Sequence, residues 1–371
     1  MKKIFTYTFL VATMGMSVSC SKETLNPVPT TSISDASAYS TADRIQGQVR
    51  SLYAGLRSGS FLGGRYLVYN DIRADEFINE TTNVVTGFDV WNGTMGNNST
   101  NSVVSLWSQA YYTINLCNVF IDGMAANGGA SVVGAAVANN YIAEARAVRA
   151  ICYYSLLQLY ARPFVDGNGS KPGLPLRLKG NTGADDYNLA RSSVSDVYQQ
   201  ILTDLNFAEA NLPLTYGTTA QAINVTRAHR NTIIAFKTRV FLSMQRYADV
   251  ITEANKIVSA AAPFTAATGV PFALQADVTN VFKSPYITTE SVLSMPFNGT
   301  TETPGTQNQL GFYYGVAALN GGGGEYSLNN SGIIANTGWT ANDRRRTFIF
   351  TASSGKRYLS KYPGISPFTD Y

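Results

Sequence analysis

Histidine is almost missing from this chain: His229 is the one histidine in 371 residues. That all but excludes a histidine-based catalytic triad or a multi-histidine metal site. Cysteine is scarce too, with 3. Beyond Cys20 only Cys117 and Cys152 remain, both inside helical patterns. If their helices form an antiparallel hairpin closed near residues 126–136, the two thiols sit about 9 Å apart along the axis at about 1.5 Å per residue. That is too far for a relaxed bridge, so two buried free thiols are expected. Charge is thin, at 14% of residues, and the one conspicuous basic run is "RRR" at 344–346. Nucleic acid is therefore a poor partner. After the first twenty residues no apolar run is long enough to cross a membrane. What fills the gap is Tyr, Asn, Thr, Ser and Gly. A surface of hydroxyls, amides and aromatic rings suits neutral polar ligands better than ions.

The first twenty residues are built differently. Lys2 and Lys3 precede a mostly apolar stretch from Ile4 to Val18, and Ser17 and Ser19 flank Val18 just ahead of Cys20. This is the layout of a secretory signal peptide, too short for a stable spanning helix. A thiol at the cleavage point looks like a bacterial lipoprotein signal, with Cys20 carrying the lipid. Two or more acyl chains hold a protein stably at a membrane. Residues 1–19 are read as the signal, 20–38 as a lipidated, flexible tether with two prolines, and 39–371 as a single domain. Two of the 28 Lys and Arg lie in the signal, which leaves 26 against 24 acids, close to neutral.

Along the domain, helical spacing dominates the first two-thirds. Apolar residues recur at helix period over about 40–57, 103–125, 137–160, 193–212 and 227–261, the last as a pair joined at "MQRY". Ser40 with Asp43, and Ser193 with Asp196, look like capping boxes. Trp107 lies on the 103–125 stripe and reads as core. Tyr247, Val250, Ala254 and Ile257 loosely follow a tetratricopeptide second helix, with Pro263 behind them. The pattern is mainly α, a degenerate helical solenoid. Residues 58–102 and 262–345 break it: they are long, rich in Gly, Asn, Thr and aromatics, and have no helical period. Short strands are expected at "RYLVYND" and "ESVLSMPFN". Loops this long in a compact domain are usually functional. "GGGG" at 321–324 lacks the Lys-Ser/Thr and the strand–helix setting of a phosphate loop, and reads as a mobile loop.

Several stretches, in this order, resemble the SusD/RagB family of outer-membrane lipoproteins. They are the start at Cys20, "SLYAGLR", "RADEF", "LWSQAYYTINLCN", "AEARAVRAICYYSLLQLYARPF", "GLPL", "SVSDVYQQILTDLNFAEANLP", "DRR" and "KRYLSKYPG". The resemblance implies tetratricopeptide-like helical repeats packed on an irregular, loop-rich ligand-binding half with few short strands. It implies a surface-exposed protein of the outer membrane, anchored through Cys20. Such a protein captures oligosaccharide and delivers it to a SusC-like TonB-dependent β-barrel transporter. One departure stands out. The family's helix after the "KY" stretch is not found, the chain stops at "SPFTDY", and it reads as incomplete at its C-terminus.

Sugars present apolar C–H faces and many hydroxyls, so aromatic rings with Asn, Asp and Arg beside them are the expected site. Trp91 and Trp339 sit in polar, Gly/Asn-rich insertions, and Tyr313 and Tyr314 in the second of them. Asp71 and Arg73 are weaker candidates for hydroxyl contacts. No metal or cofactor is expected. Asp71, Asp75 and Glu76 fall in one short segment and do not show the two carboxylates across a cleft that glycoside hydrolysis requires, so no enzyme is expected. Peptide capture on the same scaffold, and a repeat scaffold for protein partners, stay open as alternatives.

Overall fold

The computed structural model describes residues 35–184, 187–218, 222–297 and 302–362. Cys20 with its signal and most of the tether lie outside the described residues, as does the chain end from residue 363. Seven longer helices carry the scaffold: α1 (Ala42–Leu56), α2 (Arg65–Ile72), α3 (Val103–Ala126), α4 (Ala135–Tyr160), α5 (Val194–Asn211), α6 (Arg230–Ser243) and α7 (Tyr247–Ala254). Four short strands are described: β1 (Phe77–Asn79), β2 (Tyr326–Leu328), β3 (Ile349–Thr351) and β4 (Arg357–Leu359). The fold is mainly α, as the periodicity indicates.

The helices pack as a series. α3 and α4 form a pair, α1 lies against both, α5 packs on α4, α6 on α5 and α7 on α6. In α1, Ile45, Val49, Leu52 and Leu56 are buried, the stripe read from sequence. Its cap is one residue later than expected: Thr41, not Ser40, accepts from the Arg44 N–H (3.3 Å). In α5 the expected box is complete. The Ser193 hydroxyl accepts from Asp196 N–H (3.0 Å), and the Asp196 carboxylate accepts from Ser193 N–H (3.2 Å). Cys117 and Cys152 are buried free thiols, and burial pushes both thiol pKa values up. α7 breaks the expectation. Its tetratricopeptide-like Tyr247 is exposed, while Glu253 is buried against Lys237 (2.8 Å). The ion pairs of Lys237 and Lys256 with Glu209 and Glu253 hold α7 to α5 and α6 by its polar side.

Both strand expectations are corrected. "RYLVYND" is helix α2, because Val68, Tyr69 and Ile72 bury together at helical spacing. "ESVLSMPFN" makes no strand over its described residues, since its backbone bonds go to helices and their ends rather than to a neighbouring strand. Ser294 N–H donates to Val225 C=O (2.7 Å), and Pro296 C=O accepts from Arg57 (2.5 Å). The ladder joining the two insertions lies elsewhere. β1 from the first pairs antiparallel with β2 from the second, Phe77 opposite Leu328. The "GGGG" run is a packed turn rather than an open loop. A Cβ at Gly322 would meet the Gly315 backbone at 2.4 Å, and one at Gly323 the Phe312 ring at 2.6 Å.

His229 precedes α6, fully buried, its ring stacked on Phe272 (5.5 Å between centroids, 14° between planes). Burial lowers its pKa from the usual 6.5 to about 4. The unfolded chain therefore binds the extra proton between those values, and folding stability falls as pH drops from 6.5 to 4. The share from this group is about 3 kcal/mol. His229→Phe keeps the ring stack and is expected to flatten that acid slope in urea titrations at pH 7, 6, 5 and 4. Parallel curves for both proteins would refute the buried neutral imidazole.

Candidate binding cleft

The first insertion, helices α3 and α4 and the segment before α5 enclose a cleft of about 680 Å³. Val90, Met95 and Asn97 form one wall, from the first insertion; Val103, Val104 and Trp107 of α3 face them with Tyr160 of α4. Tyr69 lies in α2, Arg73 caps its end, and Arg191 comes from the segment before α5. The volume falls in the ordinary range for small-molecule sites.

The aromatic wall is rigid because its polar atoms are already engaged. Trp107 packs edge-on to Tyr160 (5.0 Å, 74°) and tilted on Tyr111 (4.7 Å, 40°). The Tyr160 hydroxyl donates to Val103 C=O (2.5 Å), and that of Tyr111 to Pro175 C=O (2.9 Å). Burial raises the pKa of both phenols, so both stay protonated donors. The 88–97 wall is held from below by buried Asp89, which accepts from Val90 N–H (3.0 Å) and the Ser102 hydroxyl (2.5 Å). Trp107 remains half-exposed between these supports. Arg73 and Asn97 are exposed beside it. A flat ring next to a guanidinium and an amide can take the C–H face of a sugar and its hydroxyls together.

Of the residues expected from sequence, Arg73 alone lines this cleft. Tyr313 and Tyr314 are corrected: both are fully buried, and neither presents a ring face to a ligand. Tyr314 stacks on Tyr362 (5.6 Å) and donates its hydroxyl to Asp71 (2.7 Å), so Asp71 secures this core tyrosine instead of facing the cleft. Burial raises the Asp71 pKa, opposed by that hydrogen bond. Trp91 is half-buried, its indole N–H donating to Phe77 C=O (2.9 Å) and its ring stacked on Phe88 (6.1 Å). It braces the wall loop that delivers Met95 and Asn97. Trp339 is half-buried under the Arg346 guanidinium, 4.3 Å from its ring centre, and is outside the cleft. Glu76 of "RADEF" accepts from Ile333 N–H (2.6 Å), stitching the two insertions together.

Trp107 packs against the core, as its stripe indicates, and its ring also reaches the cleft. That stripe ends where α3 emerges beside the insertion. Asn97 carried a signal, its place in a Gly/Asn-rich loop. Arg191 carried none.

The SusD-like family model described as starch-binding associating with outer membrane matches residues 34–242. A SusD superfamily protein from Bacteroides fragilis is similar at 30% identity, over 87% of this chain and 69% of that one, with a TM-score of 0.73. One from Bacteroides thetaiotaomicron is similar at 18% identity over 89% and 71%, TM-score 0.73. A protein titled laminarin binding SusD-like protein is similar at 16% identity over 88% and 73%, TM-score 0.71. A search of curated proteins finds no match.

Proposed function

The chain belongs to the SusD-like family, and on that premise we propose that it captures oligosaccharide or polysaccharide at the cell surface and delivers it to a TonB-dependent outer-membrane transporter. The carrying observation is the half-exposed Trp107 ring, braced by Tyr111 and Tyr160 and flanked by Arg73 and Asn97. A laminarin-binding SusD-like protein shares this fold. Capture without hydrolysis fits the lining, because no Asp or Glu stands among the described cleft residues. Asp71 and Glu76 are occupied at Tyr314 and Ile333. Anchoring through Cys20 would keep the cleft at the membrane. α7 supports a protein partner: Tyr247 and Ile251 stand 57% and 62% exposed on one face of the last helix in the series.

Calorimetry of the full chain against a panel of plant, algal and host glycans tests the reading. At least one class should bind, and Trp107→Ala should weaken it about tenfold or more, the scale of losing an aromatic–sugar stack. Far-UV circular dichroism should stay unchanged. A panel without any binder, beside a peptide pool that does bind, would replace this function with peptide capture.

A further inference from the structure

The cleft holds two cations and no counter-charge. Arg73 and Arg191 both line it, and none of its described lining residues is Asp or Glu. Elsewhere on the chain some arginines meet carboxylates, as Arg57 does Glu302 (2.9 Å), Arg246 Asp249 (2.7 Å) and Arg344 Asp277 (2.8 Å), while Arg44 and Arg50 meet neutral acceptors. Arg73 and Arg191 make no ion pair among the described residues. Arg73 donates to the Asn70 side-chain oxygen (3.1 Å). Arg191 donates to Gly173 C=O (2.6 Å), Pro172 C=O (2.8 Å) and Tyr160 C=O (3.2 Å). Those carbonyls fix where the Arg191 charge stands and leave the charge unneutralised.

We propose that the ligand class of this cleft is an anionic glycan, one bearing a uronate carboxylate or a sulfate ester, whose acidic group sits between Arg73 and Arg191 while a ring C–H face lies on Trp107. The inference rests on the capture reading above and narrows it. Two like charges facing one space repel, and an anion between them relieves the repulsion. Guanidinium matches carboxylate and sulfate geometry with paired N–H donors. A neutral sugar would offer neither guanidinium an opposite charge.

Affinity electrophoresis and calorimetry on the full chain would compare polygalacturonate and chondroitin sulfate with amylose and laminarin. One acidic polymer is expected to bind about tenfold tighter than either neutral one, and to weaken as salt rises from about 50 to about 500 mM. Arg73→Gln, at an exposed position, should remove most of that preference; Arg73→Lys should restore part of it and less of its geometry. Arg191 is the wrong residue to delete, since it secures three carbonyls. Equal or tighter binding of the neutral polymers, or a preference untouched by Arg73→Gln, overturns the anionic class and leaves glycan capture standing. Failure of both acidic polymers to bind overturns the anionic class, and a blank across the wider glycan panel as well overturns both.

Discussion

Arg149→Ala is expected to lose about 3–5 kcal/mol of folding stability, the loss that follows when one member of a buried ion pair is removed. Arg149 lies on α4 with its side chain 6% exposed, and Asp204 on α5 is 1% exposed. Two parallel bonds join them, at 2.8 and 2.7 Å, and a third reaches Asn118 on α3 (2.7 Å). Asn118 in turn donates to the Arg177 and Lys179 carbonyls, after the "GLPL" stretch. One guanidinium thus orients three helices and a strap. Deleting it strands a carboxylate away from water, whereas replacing both partners by apolar groups spares that cost. Urea melts of Arg149→Ala beside Arg149→Met/Asp204→Leu check this. The double variant should recover much of the loss. Equal midpoints for Arg149→Ala and the parent would mean that the pair is solvated in solution.

Leu156→Ala should lose about 2–5 kcal/mol, the range for emptying a fully buried leucine site. Leu156 is 0% exposed on α4, the helix on which both α3 and α5 pack. The surrounding helices are long and tied by the polar network, so collapse into the void is restricted. The loss should appear in thermal and urea melts without selectively abolishing glycan binding below the transition. A variant as stable as the parent would put Leu156 outside the core and misplace the helix register.

The specificity of "AEARAVRAICYY" now has a physical content. Its Glu144 accepts from Tyr53 (2.7 Å) and Arg227 (2.9 Å), and its Arg149 from the same helix pairs with Asp204. Its Tyr153 donates to Arg177 C=O (2.8 Å) and accepts from Arg177 N–H (2.7 Å). Periodicity showed the helix. The partners, 24 to 91 residues away, were invisible to it. The same limit explains the site. An aromatic on a helix stripe packs in most cases, and only the arrangement of neighbouring segments shows that the Trp107 end of its stripe opens into a cleft. Tyr313 and Tyr314 sat in a loop-like, Gly-rich stretch, but long-range contacts with Asp71, Phe77 and Tyr362 draw Tyr314 inward.

The amino-acid sequence alone determined the helical class, the order of the longer helices other than α2, the Ser193 cap, the two free thiols and the family resemblance. The helices and the cap depend on spacing within about 25 residues, which hydrophobic burial enforces locally, and the thiols and the resemblance on the order of those helices along the chain. It also marked the two insertions as the irregular part. Tertiary structure decided which side chains the insertions turn toward one another, through the β1–β2 pairing and the Glu76 bond across 257 residues. It decided that Trp91 braces while Trp107 faces the cleft, and that Asp71 accepts the hydroxyl of the buried Tyr314. A near-neutral composition pointed to neutral ligands, yet the fold collects Arg73 and Arg191 into one cleft without a carboxylate. Composition averages over the whole surface, whereas a ligand meets only the charges that folding brings within a few ångströms of it.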